Sequence, residues 1–178
     1  MSDIETNRLI LRLVPLAGLA ATAAGNREAC RRLIGARLPE TWFDEAWVSE
    51  LRLAQWREDP DYAPWSIRAI ALKETGDIIG HINCHDKPQA FEHRGDVAPI
   101  IEMGYTIFEP HRRQGHAFEA ITGYAEFAAH HGVRWVRLSI SPGNGPSIAL
   151  ARKLGAHKIG SQYDDRDGLE DIYLYDLD

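Results

Sequence analysis

The sequence predicts a mixed α/β domain built around one central sheet. Segments with the period-two alternation of strands are interspersed with segments whose apolar residues recur every three or four positions, as they do in helices. The chain has 178 residues, of which 44% are hydrophobic, and this is enough for one sizeable core but not for two. We therefore predict a single domain over residues 1–178, without internal repeats or linkers.

The first half of the chain predicts a strand, two helices and a hairpin. An alternating run that ends at Pro15 predicts the first strand, and an alanine-rich, helix-prone stretch broken at Gly25-Asn26 predicts the first helix. The second helix should stop before Asp59, and the apolar residues that predict it, at spacings of four, four and three, are Phe43, Trp47, Leu51 and Ala54. Two β-rich runs around Gly76 predict a hairpin, because glycine tolerates the positive φ of such turns. The first strand is predicted at residues 8–14, the alanine-rich helical stretch at 16–33 and the next helix after Pro39. The two hairpin strands are predicted at residues 65–72 and 78–84.

The second half predicts a polar loop over Asp86–Asp96, followed by two strand-helix pairs and a last strand pair. A strand over 100–108 is closed by Pro110, and the next helix should end near Gly132, because glycine is common just after a helix C-terminus. The apolar residues at helical spacing in that helix are Ala117, Ile121, Tyr124 and Ala128. The remaining elements are predicted at residues 136–140 (strand), 146–154 (helix), 158–163 and 171–175 (strands).

Composition narrows the classes of function. The net charge is −6, with 20 Lys and Arg against 26 Asp and Glu, which argues against a nucleic-acid-binding protein and weakly favours a cationic partner. Cys30 and Cys84 lack metal-type spacing and are interpreted as buried thiols in a reducing compartment. Without a signal-like N-terminus or an apolar run of about 20 residues, the protein is expected to be soluble and cytoplasmic, with no membrane partner.

The segment 109–117 is the most informative part of the sequence. It lies between a predicted strand and a predicted amphipathic helix, where a tight turn and a helix N-terminus together supply N–H donors and a positive dipole end for a diphosphate. Gly115 permits close backbone approach and Ala117 keeps the first helical turn small, while Arg112 and Arg113 can add charge-assisted contacts. A basic, solvated loop before an ordinary helix is the alternative interpretation.

Four segments, in their order along the chain, resemble motifs of the GNAT acetyltransferase family. Arg112-x-x-Gly115-x-Ala117 is similar to its pyrophosphate-binding signature. The segments similar to its second cofactor motif are Asn144-x-x-Ser147-x-x-Leu150 and the following Lys153-Leu154-Gly155. Residues 5–12 and the run Glu102-Met103-Gly104-Tyr105 resemble the first and fourth strands of the Rim-type branch, whose better-known members acetylate the N-termini of ribosomal proteins.

The resemblance implies a fold and a cofactor. It implies a mixed, mostly antiparallel sheet flanked by helices and splayed between its fourth and fifth strands, with acetyl-CoA in the opening. The residues that would then contact the cofactor are Ile107 and Phe108 through backbone groups, then Arg112, Arg113, Gln114, Gly115, His116, Ala117 and Asn144. A helix N-cap is the alternative role for Asn144. A homodimer is a further family-level expectation.

The implied reaction is direct transfer of the acetyl group to a primary amine, which is either a protein N-terminus or a small molecule. A lysine-like amine has a pKa of about 10.4 and needs a proton acceptor at neutral pH. Glu102 lies six residues before Phe108, as the catalytic glutamate does in histone-acetylating members of the family, and its apolar neighbours are expected to raise its pKa and make it a better base. A carboxylate that only positions the substrate, or that pairs with an arginine, remains open.

The remaining site residues concern the departing thiolate, the oxyanion and the acceptor. Many family members protonate the departing thiolate with a tyrosine where this chain has Ala151, so Ser147 is the candidate, with helix capping, another tyrosine or solvent as alternatives. A backbone N–H near Phe108 is implied as the oxyanion donor. His81 and Asn83 alternate on a predicted strand and are candidates for the acceptor-binding wall, whereas no metal site is expected, because no third ligand is in register. A non-catalytic acyl-CoA sensor is the alternative function.

Overall fold

The computed structural model describes residues 2–177. Its helices are α1 (Leu16–Ala23), α2 (Arg27–Leu33), α3 (Ala46–Glu58), α4 (His116–His130) and α5 (Gly145–Lys153). Its strands are β1 (Ile4–Glu5), β2 (Leu9–Leu13), β3 (Arg68–Leu72), β4 (Ile78–Cys84), β5 (Gln89–His93), β6 (Asp96–Ile107), β7 (Trp135–Ile140), β8 (His157–Asp164) and β9 (Gly168–Asp176). Short 3₁₀ turns occur at Glu40–Phe43, Pro60–Trp65 and Glu109–His111. None of the helices within residues 2–177 has the length and apolar character needed to cross a bilayer.

The strands form a mixed, mostly antiparallel sheet, as predicted. Their order is β1-β2-β3-β4-β6-β7-β9-β8, and β5 pairs with β6. The pair β6 and β7 is parallel, whereas the neighbours β1–β2, β2–β3, β3–β4, β5–β6, β7–β9 and β8–β9 are antiparallel. The β6–β7 register runs from Ile100–Trp135 to Glu102–Arg137, although both strands continue beyond it.

The chain forms two compact units. Unit 1 comprises the chain up to Cys84 and Tyr105–Gly123, and unit 2 comprises His85–Gly104 and the chain from Tyr124 onward. The division falls within β6 and within α4. The organisation as one domain stays a prediction.

Unit 1 has an apolar core between its helices and β2–β4. Its buried members include Val14, Leu19, Cys30, Ile34, Leu38, Trp42, Val48, Leu53, Ile67, Ala69, Ile78 and Phe108. Asn26 accepts the backbone N–H of Ala29 and so begins α2, which explains the predicted break at that point. Cys30 and Cys84 are both free and buried, so their interpretation as buried thiols is confirmed.

The buried face of α3 is not the apolar stripe that the sequence suggested. Trp47 and Leu51, two of the residues whose spacing predicted this helix, are 40% and 44% exposed. The residues that α3 buries are Val48, Ser49, Arg52 and Leu53. Polar groups can occupy this face because they are paired: the Arg52 Nε donates to Asn83 Oδ1 at 2.8 Å.

Unit 2 contains a strand where a loop was predicted. β5 lies within Asp86–Asp96 and pairs with the start of β6 through a turn in which Arg94 and Gly95 have φ of 54° and 87°. The strand is largely exposed, so its sequence lacks the apolar alternation that marks a buried strand. Phe91 nevertheless packs edge-on against Trp135, with ring centroids 5.8 Å apart. The prediction of a loop here is wrong because pairing with β6, rather than local propensity, forms the strand.

Candidate active site

The end of β6 leads into the segment that resembled a phosphate-binding loop. Arg112 Nε donates to the Ile107 carbonyl at 2.8 Å, and the Phe108 N–H donates to the Ile79 carbonyl at 2.8 Å. Since the Phe108 N–H is already used by β4, the oxyanion donor would be another backbone N–H near Phe108, and this expectation stays a prediction. Ile107 and Phe108 themselves are buried, each 7% exposed.

The loop from Arg112 to Gly115 is exposed and contains two left-handed residues. Arg113 has a φ of 61° and Gly115 a φ of 82°. The chain then enters α4 at His116, where the first N–H groups have no acceptor within the helix and carry the positive end of its dipole. The loop therefore combines backbone donors, two arginines and solvent access.

The His116 side chain faces the protein and not the solvent. It is 6% exposed, and its Nδ1 lies 3.1 Å from the His111 carbonyl. A carbonyl can only accept, so Nδ1 carries the hydrogen. His116 could therefore contact a cofactor through its backbone N–H, while its ring ties the two ends of the loop together.

A cluster that the sequence analysis missed supports the loop from behind. Glu119, in the first turn of α4, accepts from the Arg8 backbone N–H at 2.6 Å, the Arg8 Nε at 2.7 Å and the Thr6 hydroxyl at 2.7 Å. Arg8 Nη1 also donates to the Gln114 carbonyl at 3.1 Å. We call Thr6, Arg8 and Glu119 the loop brace. The sequence carried one signal for this cluster. Glu119 places a negative charge at the start of the helix that is expected to bind an anion, and such a charge needs a cationic partner nearby.

Replacing Glu119 with glutamine is expected to destabilise the protein by about 1–2 kcal/mol. The neutral amide would accept weaker hydrogen bonds from Thr6 and Arg8 than the carboxylate does, and the partly solvated setting limits the loss. Burial raises the pKa of Glu119, but the bonds from Thr6 and Arg8 outweigh it, and the pKa lies below its ordinary value. A group with a depressed folded-state pKa stabilises above its unfolded-state pKa, so the difference from wild type should shrink as the pH falls below about 4.3. Urea unfolding at several pH values measures this, with the exposed Glu126→Gln as a matched control on the same helix. Equal stability of the two variants at neutral pH would contradict the brace.

A second missed residue lies beside His81. His81 Nε2 is 2.8 Å from Glu45 Oε2, and the Thr106 hydroxyl donates to the same oxygen at 2.9 Å. The hydrogen bond from His81 is the largest influence on the pKa of Glu45 and holds it below its ordinary value against the effect of burial. His81 is 6% exposed and lines a narrow recess with Trp42, Glu45, Val48, Ser49 and Ile67. Glu45 precedes a helix in a polar stretch, and no spacing in the sequence connects it with His81.

Asn83, the other candidate for acceptor binding, is also on the α3 side of β4. It is 4% exposed and accepts from Arg52. Both residues therefore lie on the same face of the strand, as their alternation predicted, and their contact with an acceptor stays a prediction.

Glu102, in unit 2, is a firmly held carboxylate. Ser139 Oγ donates to its Oε1 at 2.7 Å, His85 Nδ1 lies 3.2 Å from the same oxygen, and Arg137 Nη1 lies 3.7 Å from Oε2. Burial is the largest single influence and raises the pKa of Glu102, but the bonds from His85 and Ser139 and the charges of His85 and Arg137 together outweigh it. The pKa is lowered, so the expectation that burial raises it is wrong. A paired carboxylate is charged at neutral pH and holds a proton weakly.

The second cofactor motif forms the start of α5. Asn144 Oδ1 accepts the Ser147 backbone N–H at 3.1 Å, so Asn144 caps the helix. Ser147 is half-buried and Asn144 is exposed. The helix-capping role of Asn144, one of the two roles predicted for it, is therefore present. Its contact with a cofactor stays a prediction.

The predicted site residues thus fall into two sets. Unit 1 carries His81, Asn83, Ile107, Phe108 and the segment from Arg112 to Ala117, whereas unit 2 carries Glu102, Asn144 and Ser147. Within the described residues, no three His, Cys, Asp or Glu side chains are grouped as a metal site requires.

Residues 8–157 match the model of the acetyltransferase (GNAT) domain. The chain belongs to the GNAT acetyltransferase family. Like other members of the GNAT family, it is therefore an acyl-CoA-dependent acetyltransferase, and the family predicted from the sequence is confirmed.

Solved structures show the same fold at low sequence identity. An acetyltransferase from Agrobacterium tumefaciens is 22% identical, with a TM-score of 0.64 and coverage of 98% of this chain and 94% of that one. Ribosomal-protein-S5-alanine acetyltransferase from Vibrio fischeri is 17% identical, with a TM-score of 0.64 and coverage of 100% and 98%. RimJ from Mycobacterium smegmatis, in complex with CoA-disulfide, is 14% identical, with a TM-score of 0.62 and coverage of 98% and 87%. No curated protein matches this GNAT chain.

Proposed function

We propose that this GNAT protein transfers the acetyl group of acetyl-CoA directly to a primary amine, either a protein N-terminus or a small-molecule amine. The observation that carries the proposal is the exposed loop from Arg112 to Gly115, which feeds the N-terminus of α4. This arrangement presents converging N–H donors and a helix dipole to an anion. The family assignment supports an acyl-CoA donor.

The residues of the loop fit a diphosphate. The backbone N–H groups of Gln114, Gly115, His116 and Ala117 would contact its oxygens, and the guanidinium groups of Arg112 and Arg113 would add charge-assisted bonds. A side chain at Gly115 would begin 3.4 Å from Arg8 Nη2, in the space through which a phosphate approaches the backbone. Asn144 is proposed as a further cofactor contact.

Direct transfer without an acylated enzyme is supported by the state of the cysteines. Cys30 and Cys84 are both buried, and Cys30 lies 3.5 Å from the Thr22 hydroxyl rather than beside a base. A nucleophilic thiol requires an activating base and access to the substrate. We propose that Ser147 gives a proton to the departing thiolate, a role that normal turnover in Ser147→Ala would exclude.

Glu102 is proposed to attract a cationic acceptor through its charge, without contacting the reacting nitrogen. Its lowered pKa keeps it charged, which favours electrostatic binding of a cation over uptake of a proton. Replacing Glu102 with glutamine should then raise the KM for the amine about tenfold and leave kcat within about twofold, since uniform binding is lost. Initial rates over a range of amine concentrations measure this, with the exposed Glu92→Gln as control. A general base would instead show a fall in kcat of about 100-fold at constant KM.

The proposal is tested by binding and turnover together. Calorimetry with acetyl-CoA and with free CoA should show one site, and thiol release should rise when acceptor amines are added. The panel contains a peptide that begins with alanine, spermidine and butylamine, and acetyl-CoA without an amine gives the background of hydrolysis. Binding of CoA without turnover of any amine would favour the sensor function. Absence of CoA binding would exclude both functions.

A further inference from the structure

We propose that His81 and Glu45 form a catalytic dyad, in which His81 Nδ1 accepts the proton of the acceptor ammonium and Glu45 holds the imidazole in the required tautomer. This inference rests on the proposed function and assigns its proton acceptor. Glu45 follows the turn Glu40–Phe43 and directly precedes α3, His81 is on β4 and Thr106 is near the end of β6.

The hydrogen bonds determine which nitrogen is free. A carboxylate only accepts hydrogen bonds, so the contact of 2.8 Å between His81 Nε2 and Glu45 Oε2 requires the hydrogen on Nε2. The neutral ring then carries a lone pair on Nδ1. Thr106 donates to the same Glu45 oxygen, which fixes the carboxylate from a second direction. A carboxylate that orients an imidazole and stabilises its protonated form is the arrangement by which histidine serves as a base in hydrolases.

A purely structural role of the His81–Glu45 pair does not explain the state of His81 Nδ1. The side chain is 8% exposed, and Nδ1 is buried without a hydrogen-bond partner among residues 2–177. Leaving a buried polar atom unpaired costs about 1–3 kcal/mol, and most such atoms in proteins are paired. The same ring lines the recess formed with Trp42, Ser49 and Ile67. The recess has no room for a water molecule as it stands, so an acceptor amine supplies the missing partner only when the side chains around the recess move apart.

The pair lies beside the chain segment that leads to the proposed cofactor loop. The His81 ring packs against Phe108, with centroids 6.5 Å apart and an interplanar angle of 67°. Phe108 is followed by the turn Glu109–His111 and then by Arg112. The negative charge that acts on His81 is Glu45, on the chain before α3. The positive charge of Arg112 helps to keep Glu45 ionised.

The proton balance of the step is complete. One proton of the ammonium passes to His81 Nδ1, and the neutral nitrogen then attacks the thioester carbon. A C–N bond forms, the C–S bond breaks, the nitrogen loses a second proton and the departing sulfur gains one. His81 returns its proton to solvent, so each turnover yields the amide, free CoA and one proton from the ammonium and acetyl-CoA. No oxidant, reductant or metal is needed.

The test is His81→Gln, which keeps an N–H near the position of Nε2 for Glu45 but has no base at the position of Nδ1. With the alanine-initiated peptide at pH 7, kcat should fall about 100-fold or more, while the affinity for CoA in calorimetry is unchanged. An α-amino group has a pKa of about 8 and is mostly neutral at pH 9. The defect should therefore shrink at pH 9, which a merely structural defect would not do. Glu45→Gln should also lower kcat, because the imidazolium that forms loses its anionic partner.

The exposed His130→Gln serves as the matched control and should match wild type throughout. If His81→Gln binds CoA and keeps its kcat at pH 7, or if its defect is the same at pH 7 and pH 9, the dyad is wrong while the acetyltransferase proposal stands. If wild type binds CoA but acetylates no amine of the panel, both proposals fall. If the variant folds poorly, NMR of the wild-type protein can show which nitrogen of the neutral His81 imidazole carries the hydrogen. A hydrogen on Nδ1 rather than on Nε2 would overturn the dyad.

Discussion

Replacing Gly80 with alanine is expected to destabilise the protein by about 4 kcal/mol, an effect at the upper end for a single substitution. An alanine Cβ at this position would overlap the Thr106 carbonyl oxygen and would lie 3.1 Å from the Ile107 Cα. Both neighbours are backbone atoms of β6, so no side chain can move aside to make room. The close approach of β4 and β6 therefore depends on glycine at position 80.

Urea unfolding of Gly80→Ala measures this effect, and Gly160→Ala is the matched control. Gly160 is also a strand glycine, but within the described part of the chain nothing lies within 4 Å of the position of its Cβ. Its variant should remain within about 0.5 kcal/mol of wild type. Because Thr106 anchors Glu45, any folded Gly80→Ala protein should also lose turnover. Comparable stability of the two variants would mean that β4 and β6 are further apart than described.

Replacing Gly115 with valine is expected to weaken CoA binding about 30-fold. Gly115 has a φ of 82°, and a β-branched residue held in this region costs about 2 kcal/mol, which corresponds to a factor of about 30 in Kd. The loop can relax in the free protein, so the cost is incurred when the cofactor requires the original conformation. The new side chain would also press on Arg8, which holds the Gln114 carbonyl.

The control for this prediction is Gly132→Val. Gly132 has nearly the same φ of 81°, and no atom of the residues that the structure describes lies within 4 Å of its Cβ position. It follows the other end of α4, so this variant bears similar backbone strain away from the loop. Calorimetry should show a weakened Kd for Gly115→Val and an unchanged Kd for Gly132→Val. Equal affinities would remove the loop from the cofactor site.

Elements with strong local signals were predictable. Residues 136–140 alternate in sequence, and Val136, Leu138 and Ile140 are all buried in β7. The breaks at Gly25-Asn26 and Gly132 lie where α2 begins and α4 has ended, because an N-cap and a left-handed glycine act within a few residues. The exposed strand β5 was not predictable, since its partner is elsewhere in the chain and its residues are largely polar.

The sequence by itself determined the family, the order of most elements and the position of the loop before α4, because those properties depend on short motifs and on spacing along one segment. The tertiary structure decided which polar groups meet. Glu45 lies 36 residues from His81, and Glu119 lies 111 residues from Arg8. The partners that lower the pKa of Glu102 are His85, just after β4, and Ser139 and Arg137 on β7. Charges and hydrogen bonds act through space, so no local pattern could reveal these pairs.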